Sequence, residues 1–159
     1  MTKYPLHAAA WVFVGMVFMG IIVWFAMPSL MLIKHHSNRS YDETVTVLGE
    51  ALKAKQDWRV LTVNDYQKST AAFGTLERVG SLTICNPRYA AKILANDADR
   101  GVTAFMPLGI GVYEDKKSQV IVSQLNVRLL GMMFGGNISD VMGMAGKDLN
   151  DVVASVTTK

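Results

Sequence analysis

Apolar and polar positions are distributed unevenly along this chain. From Ala9 to Met27 the sequence AAWVFVGMVFMGIIVWFAM runs 19 residues without a charge, and every acidic residue lies at Asp42 or later. At about 1.5 Å per residue a helix of this length spans roughly 28 Å, close to the about 30 Å of a hydrocarbon core. Trp11 and Trp24 stand near its two ends, where amphipathic rings favour the membrane interface. The pattern predicts a short tail over 1–8, a transmembrane helix over 9–28 and a single domain over 29–159. A cleavable signal peptide is the rival reading, with Lys3 as its basic region. The apolar run is longer than the usual 7–15 residues, and Trp24, two before Ala26, fits no small-residue cleavage site. A buried core helix fits less well, since a domain of this size rarely hides a helix that is apolar all round.

Beyond Pro28 and Ser29, which predict a break, shorter periods take over. Leu30 to His36 reads as a strand. Ser40-Tyr-Asp-Glu43 is a capping box, and Tyr41, Val45, Leu48 and Leu52 then recur at helical spacing to about Gln56. Trp58 to Val63 and Ser81 to Cys85 read as strands, with a polar stretch containing Gly74 between them. Asn86 as N-cap and Pro87 at the first helical position open a short helix through about Ala95, because proline lacks only an amide that is unpaired there anyway. Gly109 to Glu114 and Gln119 to Leu125 form a hairpin around Asp115, Lys116, Lys117 and Ser118. Finally Ile138, Val141, Met142, Ala145, Leu149, Val152, Val153 and Val156 hold one face of a long helix, while Asp140, Lys147, Asp148 and Asp151 hold the other. The order predicts an α+β domain: a mostly antiparallel sheet of four to five strands backed by helices.

Composition narrows the function classes. Sixteen Lys+Arg against 13 Asp+Glu give +3, with basic residues scattered singly, so no nucleic-acid partner is expected. The single cysteine, Cys85, excludes an intramolecular disulfide framework and any all-cysteine metal site within one chain. Positive charges are nearly balanced across the apolar run, with Lys3 on one side and Lys34 and Arg39 on the other. The short tail with one lysine is the habit of an uncleaved signal anchor. It points to a bacterial inner-membrane protein with its domain on the periplasmic side.

One set of residues carries a family likeness. Leu82-Thr-Ile-Cys85-Asn86-Pro87-Arg-Tyr-Ala90-Ala-Lys-Ile-Leu94, followed by Met106-Pro107 and by Gly111-Val-Tyr113-Glu114, resembles the domain of unknown function 302 family. Its features are an Ile-Cys-Asn-Pro motif before a helix and a Leu-Pro-Cys motif before a Val-Tyr-Glu strand. The likeness covers about residues 30 to 126, which leaves the anchor and the Met-rich carboxy-terminal helix outside the shared core, as in a membrane-attached subgroup. Where many relatives have the second cysteine this chain has Leu108, so a two-thiol site cannot form within it. The resemblance implies a compact fold similar to the strand–helix–four-strand–helix arrangement of TATA-binding-protein-like domains, and homo-oligomers. It implies no activity.

Candidate chemistry centres on Cys85, before a helix N-terminus whose amide dipoles can favour thiolate. A small residue filling the junction is the plainer reading. His35 and His36 point to opposite faces of a strand, so one metal cannot take both without a bulge. One of them joins Cys85 only if the first and third strands pair, giving a copper or zinc site. His7 lies across the membrane from both. Met132 and Met133, and Met142 and Met144, offer soft thioethers, but their spacings turn the members of each pair apart on a helix, so apolar packing explains them better. Gly135-Gly136, with Gly131 before it, allows a sharp turn between helices. The pairs Glu114-Asp115 and Asp97-x-Asp99 sit at turns beside cations and read as solvated charge, and no hydrolase, zinc-protease, P-loop or dinucleotide fingerprint occurs. Neither cofactor nor catalysis is expected.

Two functional readings follow. One is a membrane-anchored, non-catalytic interaction module, acting as a homo-oligomer or as an accessory subunit of a larger membrane complex, with Ile138, Val141, Met142, Ala145, Leu149, Val152 and Val153 as its contact face. The other is a redox or metal-handling module centred on Cys85 with His35 or His36. Asn86, Pro87 and Pro107 are expected to act structurally.

Overall fold

The structure is a computed structural model describing residues 5–157. Lys3 lies outside the described residues. The chain forms two compact units, one ending at Met31 and the other beginning at Leu32.

The first unit is the helix α1, Pro5–Met31. Its stretch Ala9–Met31 is long and apolar enough to cross a membrane, and Trp11 and Trp24 are 76% and 78% exposed. Pro28 and Ser29 do not break it. The helix runs on past the missing amide, and the Ser29 hydroxyl donates to the Ala26 carbonyl at 2.8 Å.

The second unit is the α+β domain. Its elements are β1 (Leu32–Ser37), α2 (Tyr41–Ala54), β2 (Arg59–Asp65), α3 (Tyr66–Ser69), β3 (Val79–Cys85), α4 (Pro87–Leu94), a 3₁₀ segment (Asp97–Phe105), β4 (Leu108–Glu114), β5 (Val120–Leu125), α5 (Val127–Phe134) and α6 (Gly136–Thr157). Ser40 accepts from the Glu43 amide, which is one half of the expected capping box, while the Glu43 carboxylate pairs with Arg39; Asn86 accepts from the amides of Arg88 and Tyr89 as expected of an N-cap. The short α3 and the 3₁₀ segment are additions to the expected pattern, and the expected turn at Gly135-Gly136 separates α5 from α6.

All strand pairs are antiparallel, in the order β1-β5-β4-β3-β2. Leu82, Ile84, Ile110, Val112, Val120 and Val122 alternate toward the buried face, where Leu48 and Leu52 of α2 and Leu149, Val152 and Val153 of α6 complete the core. Fully burying each such side chain contributes about 1.5–3 kcal/mol.

This packing corrects the contact face expected on α6. Ile138, Val141, Met142, Ala145, Leu149, Val152 and Val153 are all buried, between 0% and 7% exposed, inside the chain's own core. An apolar stripe at helical period reports that something covers it, and here the cover is the sheet, α2, α4 and α5.

The 22 residues of α6 extend about 33 Å, whereas strands of six or seven residues reach only about 20–23 Å. Near its end α6 meets Arg39, which follows β1 and donates to the Val156 carbonyl. At Asp148 it already meets Trp58, which precedes β2. Its first half therefore overhangs the end of the sheet where β1, β2 and β4 begin and β3 and β5 finish. There α5 packs on it, so closely that a Cβ on Gly131 would come 2.7 Å from Met142 Cβ.

Candidate functional site

Cys85 ends β3 at that overhanging end, half-buried and opposite Arg59 of β2. Next to it Asn86, 6% exposed, caps α4 and donates to the Gln56 carbonyl at 3.4 Å. Both line a cavity of about 50 Å³ together with Tyr89, Met106, Pro107 and Leu108. The two motifs singled out in the sequence thus meet in space, and Leu108 lies across from Ile84 in the sheet register. The Met106-Pro107 peptide is cis. The walls are largely apolar. A substrate-sized ligand needs several hundred Å³.

Electrostatics oppose an activated thiol. Burial pushes the Cys85 thiol up, and the Arg59 guanidinium offsets this only in part. The group therefore stands as a thiol at neutral pH, in place of the thiolate that a helix N-terminus favours.

The histidines lie elsewhere. His35 and His36 pair with Val122 and Ile121 on β1, at the far edge of the sheet, with β5 and β4 between them and β3. Three strand spacings and the offset along the strands separate them from Cys85 by on the order of 20 Å. The first and third strands do not pair, so the Cys85–His35 or Cys85–His36 ligand pair is not assembled. Among the described residues no three His, Cys, Asp or Glu side chains gather into a metal-binding group.

A different cluster adjoins the cavity. The Asp148 carboxylate on α6 accepts from Trp58 Nε1 at 3.1 Å and Tyr89 Oη at 2.9 Å, and pairs with Lys55 Nζ at 3.2 Å. The Trp58 and Tyr89 rings meet edge to face at 6.2 Å. Burial alone would raise the Asp148 carboxyl, but the bonds from Trp58, Tyr89 and Lys55 outweigh it and hold the group below the usual carboxylate range. Burial, then the bond to Asp148, raises the Tyr89 phenol. The cluster ties α2, β2, α4 and α6 together through one ionised group. Sequence reading put Asp148 on the polar face of α6. Its signal was available, since Val141, Ala145 and Val152 lie seven and three residues before it and four after, on the buried stripe.

The sequence model of the domain of unknown function DUF302 matches residues 33–156. The chain belongs to the DUF302 family. The match reaches through α5 and α6, so the carboxy-terminal helix is part of the family domain, contrary to the narrower extent expected, while α1 precedes it. Among solved structures, the crystal structure of an uncharacterized conserved DUF302 protein from Bacillus stearothermophilus is similar at 21% identity with a TM-score of 0.71. The match covers 80% of this chain and 98% of that one. At that identity the DUF302 likeness concerns the fold. No curated protein matches the sequence.

Proposed function

We propose that this DUF302 protein is a single-pass protein of the bacterial inner membrane whose domain, on the periplasmic side, is a non-catalytic interaction module. It acts as a homo-oligomer or as an accessory subunit of a membrane complex. The observation that carries this reading is the stretch Ala9–Met31 of α1, uncharged throughout and mostly exposed. A helix with no polar face has no soluble packing arrangement of its own. The domain adds surfaces for contact: β2 is an unpaired sheet edge, and it presents Leu61 and Val63 at 52% and 59% exposure. The small apolar cavity and the protonated Cys85 thiol favour contact over turnover.

The test has two steps. Alkaline carbonate extraction of membranes from cells expressing the full chain is expected to leave it in the pellet. Native mass spectrometry in mild detergent is then expected to show a homo-oligomer or a stoichiometric partner. Release into the supernatant refutes the anchor, and monomer alone refutes the interaction role.

A further inference from the structure

The overhanging end of the domain carries apolar side chains that the core does not use. Met132, Met133 and Phe134 finish α5, Phe105 finishes the 3₁₀ segment and Met144 lies on α6, all between 41% and 64% exposed. The rings of Phe105 and Phe134 meet edge to face at 5.7 Å, which joins α5 to the 3₁₀ segment in one patch. Single exposed hydrophobic residues are ordinary, whereas five around one projection mark a contact surface.

Two observations select the occupant. The first is the position of the patch along the chain. The helix α1 ends at Met31 and β1 begins at Leu32, so no linker residue intervenes. Leu32 pairs with Leu125 at the overhanging end of the sheet, and α5 starts two residues later at Val127. The last residue of α1 is thus joined directly to the strand end that lies beside the start of α5. The second is charge. No acidic residue occurs between Asp115 and Asp140, while Arg128 on α5 and Lys147 on α6 are exposed and, among the described residues, in no ion pair. The acids nearby are mostly engaged: Asp97 by Arg100, and Asp99 by Asn96 and Asn137, leaving Asp140 on α6.

We propose that this patch is a second, interfacial membrane contact. Met132, Met133 and Phe134 enter the boundary between headgroups and acyl chains, and Arg128 meets the lipid phosphates. The inference rests on the reading of α1 as a membrane span. It adds a contact that the domain itself makes with lipid.

Spin-label depth measurements test it on the full chain, with Cys85→Ser as background, in vesicles of phosphatidylcholine and phosphatidylglycerol. Nitroxides are placed by Met133→Cys, by Val14→Cys in α1, and by Lys116→Cys on the hairpin at the other end of the sheet. Each variant is used only if its circular dichroism matches wild type, and Met132→Cys reads the same surface should Met133→Cys misfold. Accessibility to oxygen relative to an aqueous nickel chelate is expected to be several-fold higher at positions 14 and 133 than at 116. Nickel access at 133 with oxygen access at 14 overturns the patch and leaves the span standing. Nickel access at 14 overturns both. Shielding of 133 from both reagents shows a protein surface on the patch and also overturns the proposal.

Discussion

Replacing Asp148 by alanine should be among the most destabilising changes at a polar position of this domain. The carboxylate serves three donors, and their surroundings set the cost. Trp58 is 4% exposed, so its indole N–H loses its partner with little access to water, a penalty of about 1–3 kcal/mol. The Tyr89 hydroxyl is part-buried and forfeits about 0.5–1.5 kcal/mol. The Lys55 pair is one-third exposed on the lysine side and adds no more than about 1 kcal/mol. A total loss of about 1.5–5.5 kcal/mol follows, measured by urea unfolding of the full chain in detergent with circular dichroism as readout. Asp151→Ala is the matched control, because Asp151 meets Lys55 at 3.6 Å and is 54% exposed, and should cost less than about 1 kcal/mol. The pH dependence has a definite sign. A carboxyl held below its unfolded value contributes stability that is complete above about pH 4 and is lost as pH falls through its lower folded value. The gap between wild type and Asp148→Asn should stay level from neutral pH to about pH 5 and close below about pH 4. If Asp148→Ala and Asp151→Ala prove equal, or the gap widens in acid, the account of this cluster is wrong.

Other expectations follow from single contacts. Gly131→Ala puts a Cβ 2.7 Å from Met142 Cβ and should cost about 1–3 kcal/mol in the same urea assay. Gly143→Ala meets nothing within 4 Å and should be neutral or gain up to about 1 kcal/mol; equal losses for the two would refute close α5–α6 packing. Gln124 is 2% exposed, with an Oε1 that has no partner and an amide donating to Asn150, so Gln124→Met should match or exceed wild type in thermal melts, and a loss above about 2 kcal/mol would contradict this. Because burial raises the Cys85 thiol, its alkylation by iodoacetamide should be slower than that of free cysteine at neutral pH and still climbing past pH 9; a plateau by pH 8 would refute the shift.

What could be read from the sequence was mostly local. Ser40 and Asn86 mark helix starts because a side chain and an amide three residues on settle the matter between themselves. Asp115 shapes the hairpin by accepting from the amides of Lys117 and Gln119. Long-range placement was not available in the same way. The placement of β1 beside β5, which carries His35 and His36 away from Cys85, depends on packing across the whole chain. Periodicity identified the buried side of α6 correctly but could not say whether the chain or a partner buries it. Asp148 was hidden by its charge, since a carboxylate on a helix reads as solvent-facing until its donors on Trp58, Tyr89 and Lys55 are brought to it. The turn between two helical pieces was legible at Gly135-Gly136, both at positive φ, whereas the start of the first piece at Asn126, which caps α5 through the Leu129 amide, was not singled out.

The pairing of the first strand with the last has a consequence for biosynthesis. The segment 32–37 leaves the ribosome directly behind α1, yet its partner 120–125 is translated about ninety residues later, on the order of 5–20 s at about 5–20 residues per second. Throughout that interval the nascent strand waits with unsatisfied amides. Completion of the sheet is timed by the delivery of the final strand, and a stalled or truncated chain ending before residue 120 leaves an open edge for proteases and chaperones to act on.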